Sequence, residues 1–260
     1  RDAQESRGLG DVYKRQDMGK YPYIVAEIGG NHNGDIELGK KMFKAAKECG
    51  ADAVKFQLYR REDLWTEDHL KELNDGVVKL ENVSNWSTKE LGLNNIFEQV
   101  DKFAVQEQEH IEFFNYAREL GIDYGTSAFT KKDVDFCIDQ KCANLKVASC
   151  DVTNLDLIEY VISKDYPTQI ALGMASLAEI EAVVKLIPER FKHNVTLLHC
   201  VSLYPPKDEY VNLNFLHTLR QAFGMEVGYS DHTFGFSIPL AAIALGATVI
   251  ETVSYTHLRA

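Results

Sequence analysis

The chain lacks any run of about 18 apolar residues, so nothing in it reads as a membrane-spanning helix. It also lacks a C-x-x-C pair. Its five cysteines, Cys49, Cys137, Cys142, Cys150 and Cys200, are odd in number, which fits a reducing compartment better than a disulfide framework. Positive charge is scarce: 28 Lys and Arg face 39 Asp and Glu, a net charge of −11. A nucleic-acid partner would need a basic face to displace counterions, so none is expected. An anionic small molecule stays open, because a few lysines in a mouth can outweigh a diffuse negative surface. No G-x-G-x-x-G follows the first strand-like run, which leaves a dinucleotide site little support. The first residues are polar, without the apolar stretch of a secretory signal. The expectation is a cytoplasmic protein with no membrane partner.

What is present is regular alternation. The 260 residues, 45% hydrophobic and 26% charged, suit one α/β barrel of about 250 residues. Strands are expected at Tyr23–Gly29, Ala53–Gln57, Asp123–Phe129, Asn144–Ser149, Thr168–Gly173, Val195–Cys200, Glu226–Asp231 and Thr248–Glu251. Amphipathic stretches separate them, such as the one carrying Ile36, Met42, Phe43 and Ala46 on one stripe, and such βα units point to a parallel sheet. Eight strands and seven helices make a (β/α)8 TIM barrel over 21–252, ending at or just after the eighth strand. A doubly wound sheet is the competing arrangement. Residues 1–20 and 253–260 show no pattern belonging to the barrel and are expected to be extraneous. Between Gln57 and a helix near Glu107 lie about fifty residues, where two to six are usual. That segment carries Trp65, Trp86 and a short helical pattern, NNIFEQVDKF, and suits a lid.

Polar groups recur where the apolar strands end. Glu27 closes the first, with Asn31, His32 and Asn33 beyond it; Lys55 and Gln57 share one side of the second. Ser127 ends the third, and Lys146, Ser149 and Asp151 the fourth. His199, Ser202 and Tyr204 follow the sixth, and Ser230, Asp231 and His232 the seventh. In a barrel these ends meet at one mouth. A single buried ion is more often half of a structural pair, but several strands with the same feature point to a binding site. Lys55 and Lys146 suit a phosphate or carboxylate, with Ser127, Ser149 and Ser230 as short donors beside it. Glu27 and Asp151 can accept protons or hold hydroxyls, and His232 suits a divalent metal.

These stretches resemble the N-acetylneuraminate (sialic acid) synthase family, with its legionaminate, pseudaminate and spore-coat polysaccharide relatives. The resemblance rests on AEIGGNHNGD (Ala26–Asp35), GADAVKFQ (Gly50–Gln57), TSAF (Thr126–Phe129) and LKVASCDVTN (Leu145–Asn154). It continues through LGMASLAEIE (Leu172–Glu181), LLHCVSLYP (Leu197–Pro205) and YSDHTFGFSIPLAAIALGATVIE (Tyr229–Glu251).

The resemblance implies a barrel that condenses phosphoenolpyruvate with an N-acetylmannosamine-type amino sugar, using a divalent metal, Mn2+ foremost and Mg2+ or Co2+ as alternatives. Carried over by motif, Lys55, Ser127, Lys146, Ser149 and Ser230 would hold phosphoenolpyruvate. Glu27, Gln57 and Tyr204 would face the sugar, with Ser202 at a position that contacts it in some relatives, Glu27 and Asp151 as acid–base candidates and His232 on the metal. Full-length members would form domain-swapped homodimers through a small C-terminal antifreeze-like domain, which these 260 residues do not include. Four positions depart from the pattern: Ser127 replaces Thr, Ala171 a phosphate-contacting Ser, Ser202 an Asn, and Val253 a second metal-binding His. The alternatives are another phosphoenolpyruvate-dependent 3-deoxy-ulosonate synthase, or a truncated barrel that only binds ligand.

Overall fold

The computed structural model describes residues 21–64, 68, 71–72 and 96–253. Eight parallel strands close into a barrel in sequence order: β1 (Tyr23–Glu27), β2 (Ala53–Leu58), β3 (Asp123–Ala128), β4 (Leu145–Val147), β5 (Thr168–Ala171), β6 (Val195–Cys200), β7 (Glu226–Asp231) and β8 (Val249–Val253). The expected (β/α)8 TIM barrel is therefore the observed fold, and β8 pairing with β1 excludes the doubly wound sheet. Helices α1 (Ile36–Glu48), α4 (Glu107–Leu120), α5 (Lys131–Asp139), α6 (Leu155–Ser163), α7 (Leu177–Lys185), α8 (Phe215–Phe223) and α9 (Ser237–Ala244) fill the connections. Two shorter ones, α2 (Arg61–Leu64) and α3 (Ile96–Phe103), lie in the long β2–α4 connection. The short helix expected there is α3; Trp65 and Trp86 fall outside the described residues.

Several helix starts are set by short polar side chains past the strand ends. Asp35 accepts from the Leu38 N–H at 3.0 Å, and Thr130 with Asp133, and Ser176 with Glu179, form reciprocal capping boxes. Each satisfies N–H groups that the first helical turn leaves open. Gly121 ends α4 in the left-handed region, at φ 66°, where a Cβ is unfavourable.

Several strand ends differ from the sequence expectation. β1 stops at Glu27 and Gly29–His32 winds into a 3-10 turn; β4 stops at Val147. The chain bends at these points and carries its polar residues round the rim. β8 instead runs on through Thr252 and Val253, because β1 offers Glu27 opposite Val253 and β7 offers Asp231 opposite Thr252. The strand thus enters by one residue the segment 253–260 set aside as a tail.

Two apolar regions result. The larger lies between barrel and helices, where Phe43, Phe56 and Phe113 stack with centroids 4.6–5.7 Å apart beside Tyr124 and Phe114. The smaller fills the bottom of the lumen: Val25, Ala53, Leu198 and Val249, with Tyr23 against them.

Candidate active site

Strand parity decides which side chains enter the lumen. Neighbouring register pairs are Glu27↔Lys55, Gln57↔Ser127, Ser127↔Lys146, Cys200↔Ser230 and Ser230↔Glu251. All these residues share the inward phase with the floor residues, since alternate residues of a strand face opposite ways. Above the apolar floor the lumen therefore becomes charged.

Lys55 is 1% exposed and forms an ion pair with Glu27; its ammonium donates to Ser127 Oγ at 3.3 Å and lies 3.8 Å from Glu251 Oε2. Lys146 reaches the same carboxylate from the other side and pairs with Glu251 Oε1. Ser230 Oγ donates to that oxygen at 2.8 Å. Burial pulls the Lys55 ammonium down to about 7, against the opposing attraction of Glu251. Burial alone would push the Glu251 carboxyl up, but Lys146 and Lys55 more than reverse this and hold it at about 2. Two carboxylates and two ammonium groups thus interlock in one layer, a costly arrangement unless they are mutually paired.

Further up the wall, His232 follows β7. Its Nδ1 lies 3.0 Å from the Val201 carbonyl, which can only accept, so Nδ1 carries the proton and Nε2 keeps its lone pair. Burial lowers the His232 pKa and favours the neutral ring. The Tyr204 ring covers it at a centroid distance of 4.0 Å, and Cys200 Sγ lies 3.9 Å from Nδ1. Across the mouth, the Ser149 hydroxyl accepts from the Gly173 N–H at 3.1 Å. A Cβ on Gly173 would come within 2.3 Å of Ser202 Oγ and 2.8 Å of Ser149 Oγ. Only glycine lets these two hydroxyls flank the backbone there.

The structure brings Glu27, Lys55 and Ser127 into direct contact and joins Lys146 and Ser230 to them through Glu251. It places His232 with Tyr204, and Ser149 with Ser202, on the rim above. Gln57 faces inward one step above Lys55 on β2. Asp151 is half-buried in the 3-10 turn after β4, and its hydrogen bonds are local, to Asn154 and the Cys150 thiol. Burial raises its pKa. His199, grouped with the strand-end residues, points the other way: Nε2 bonds the Val211 carbonyl at 2.6 Å and the ring packs on Phe215 and Tyr229 in the outer layer. Glu251 is the residue that sequence reasoning passed over. It was visible only as the one charged residue of an apolar run, TVIETV.

The described residues contain no group of three His, Cys, Asp or Glu able to hold a metal ion. His232 has the tautomer and the open nitrogen that a ligand needs, but it contributes one imidazole. Val253, which closes β8 at the same rim, has no donor atom.

The chain is 35% identical over 233 residues to the N,N'-diacetyllegionaminic acid synthase of Legionella pneumophila, covering 88% of this chain and 62% of the relative. It is 33% identical to the pseudaminic acid synthase of Campylobacter jejuni serotype O:2, covering 89% and 64%. The chain thus spans about two-thirds or less of these relatives' length. Among solved structures, the N-acetylneuraminic acid synthetase of Leptospira borgpetersenii, in complex with citrate, superposes with a TM-score of 0.75. It is 30% identical, with coverage of 89% of this chain and 72% of that one. The NeuB family profile matches residues 42–256, and the chain belongs to the NeuB family.

Proposed function

We propose that this barrel condenses phosphoenolpyruvate with an N-acetylmannosamine-type amino sugar in its open-chain form, giving a nonulosonic acid and inorganic phosphate. The observation that carries the reading is the convergence of Lys55 and Lys146, from different strands, on one buried layer with Ser127 and Ser230 beside them. Fixed cations and short donors in a buried layer suit an enol phosphate bearing a carboxylate and a phosphate. The names of the family relatives support a nonulosonic acid as product.

In the reaction the methylene carbon of phosphoenolpyruvate forms a bond to the aldehyde carbon of the sugar. The aldehyde oxygen takes up a proton. Water adds to the cation left on the enol carbon, loses a proton, and the carbon–oxygen bond to phosphate then breaks. Lys55 and Lys146 hold the phosphate and carboxylate through these steps, with Ser127, Ser149 and Ser230 as neutral donors. Glu27 would meet a sugar hydroxyl or a travelling proton, with Gln57 on β2 and Ser202 and Tyr204 after β6 facing the sugar from opposite sides of the barrel. Asp151 is the second acid–base candidate, from the rim.

A divalent cation, Mn2+ ahead of Mg2+ or Co2+, is part of the proposal; when bound it would polarise the aldehyde oxygen. His232 would hold it through Nε2. One imidazole does not complete a site, so no step above is routed through the metal. The reading includes a cytoplasmic location and pairing of longer chains through an exchanged C-terminal domain. Apolar side chains standing out at the mouth, Met174, Phe234 and Phe236, suit such a cover.

The test is phosphate release from phosphoenolpyruvate with Mn2+ and one of three aldehydes: N-acetylmannosamine, arabinose 5-phosphate or erythrose 4-phosphate. Release above the sugar-free blank is expected with the first alone. Release with only a phosphorylated aldose would move the chain to the 3-deoxy-ulosonate class, and none with any aldehyde would leave the chain a binding barrel.

A further inference from the structure

The charged layer contains an arrangement that simple anion binding does not explain. Lys55 and Lys146 carry two positive charges, and Glu27 and Glu251 two negative ones, so the formal sum is zero. A neutral layer offers an incoming phosphate no net attraction; some existing pair must open first. Glu27 touches only one of the lysines, and its Oε1 lies against Gly29. Glu251 lies at the centre, on Lys146, Ser230 and, at 3.8 Å, Lys55. Glu251 Oε2 and Glu27 Oε1 are both buried without a hydrogen-bond partner among the described residues, so both carboxylates are held short of full satisfaction, and Glu251 differs in reaching both lysines.

Resting on the function proposed above, we infer that Glu251 is a positioning residue that serves as a resident anion. Its carboxylate occupies the place between Lys146, Ser230 and Lys55 that the phosphate or carboxylate of a substrate requires. An anionic ligand binds by drawing Lys146 and Ser230 away from it. In the absence of ligand, Glu251 lies between the two ammonium groups and offsets their mutual repulsion. With ligand present, its repulsion limits how tightly the anion is held, which favours release of the phosphate product. The consequence has an unusual sign: neutralising a polar residue of the site strengthens ligand binding.

The experiment is calorimetric titration of the full 260-residue chain with inorganic phosphate, comparing the unmodified protein with Glu251→Gln. The glutamine keeps the shape and removes the charge, so the phosphate dissociation constant is expected to fall about tenfold, which is about 1.4 kcal/mol. A residue that only supports the wall would give the reverse, since its loss loosens the site. An unchanged or larger dissociation constant overturns the inference. If Glu251→Gln does not fold, Glu251→Asp serves. Its shorter arm retreats from Lys146 and Ser230, phosphate should again bind more tightly, and equal or weaker binding again overturns the idea. A parallel titration with phosphoenolpyruvate separates this inference from the functional reading. Tighter phosphate binding in the variant, with phosphoenolpyruvate binding no better than phosphate in either protein, would sustain the resident anion and remove the proposed substrate.

Discussion

The two sides of the barrel wall are built from the same strands for opposite ends. Outward-facing residues such as Phe56, Tyr124, Leu145 and Ile170 pack into a broad aromatic and aliphatic layer under the helices. Inward-facing residues pack only at the bottom, around Val25, Ala53, Leu198 and Val249; one layer higher they are Lys55, Lys146, Glu27 and Glu251. Outer contacts are close and apolar, so each stabilises in proportion to the area it removes from water. The inner charges are paired at a desolvation cost that their attraction at best offsets. Stability resides in the jacket, and the buried charges in the lumen.

The sharpest way to break this contrast is to cut one group from each side. Phe56→Ala removes a fully buried ring that touches Phe43 and Phe113, and should cost about 3–5 kcal/mol in urea unfolding while phosphate affinity of the folded protein stays the same. A loss of affinity matching the loss of stability would show that the two sides are not separable.

The lumen calls for a paired test. Lys146→Met alone leaves Glu251 without its nearest cation and should destabilise by about 3–5 kcal/mol. Adding Glu251→Leu should recover that loss, or overshoot by about 1–4 kcal/mol, as apolar replacement of buried pairs often does. Phosphoenolpyruvate binding should be absent throughout. A double variant as unstable as the single one would mean that the charged layer holds the barrel together.

The smallest effect is a pH dependence. Glu251 titrates near 2 in the folded chain against an ordinary 4.5. A depressed carboxyl contributes its stability fully above the unfolded value and loses it as pH falls through the folded one. Urea midpoints should therefore decline between about 4.5 and 2, and Glu251→Gln should flatten part of that decline. Parallel curves for the two proteins would argue against the pairing.

Much of this was legible before any coordinates. Lys55, Ser127 and Lys146 were readable because an ion or hydroxyl inside an apolar run has to face something other than the helix layer. Glu251 met the same criterion but was read only as the last residue of the eighth strand, and strands buried on both faces show no alternation to mark the inward phase. Its significance appears only when β8 is seen beside β7 and β1. His199 misled for the same reason: one residue of phase turns it from the lumen to Phe215. Asp151 lies beyond a strand end, where the turn rather than strand parity sets direction, and its bonds are to its own neighbours.

Ring closure by the last strand has a consequence for assembly. The carboxylate that quenches Lys146 arrives on β8, the final strand of the eight, and is seated opposite Val25 of the first. Until those two distant ends of the chain meet, the half-built cylinder holds an uncancelled ammonium facing its own interior. Zipping the seam thus completes the sheet and cancels that charge in a single event, coupling the mechanical integrity of the vessel to the electrical state of its contents.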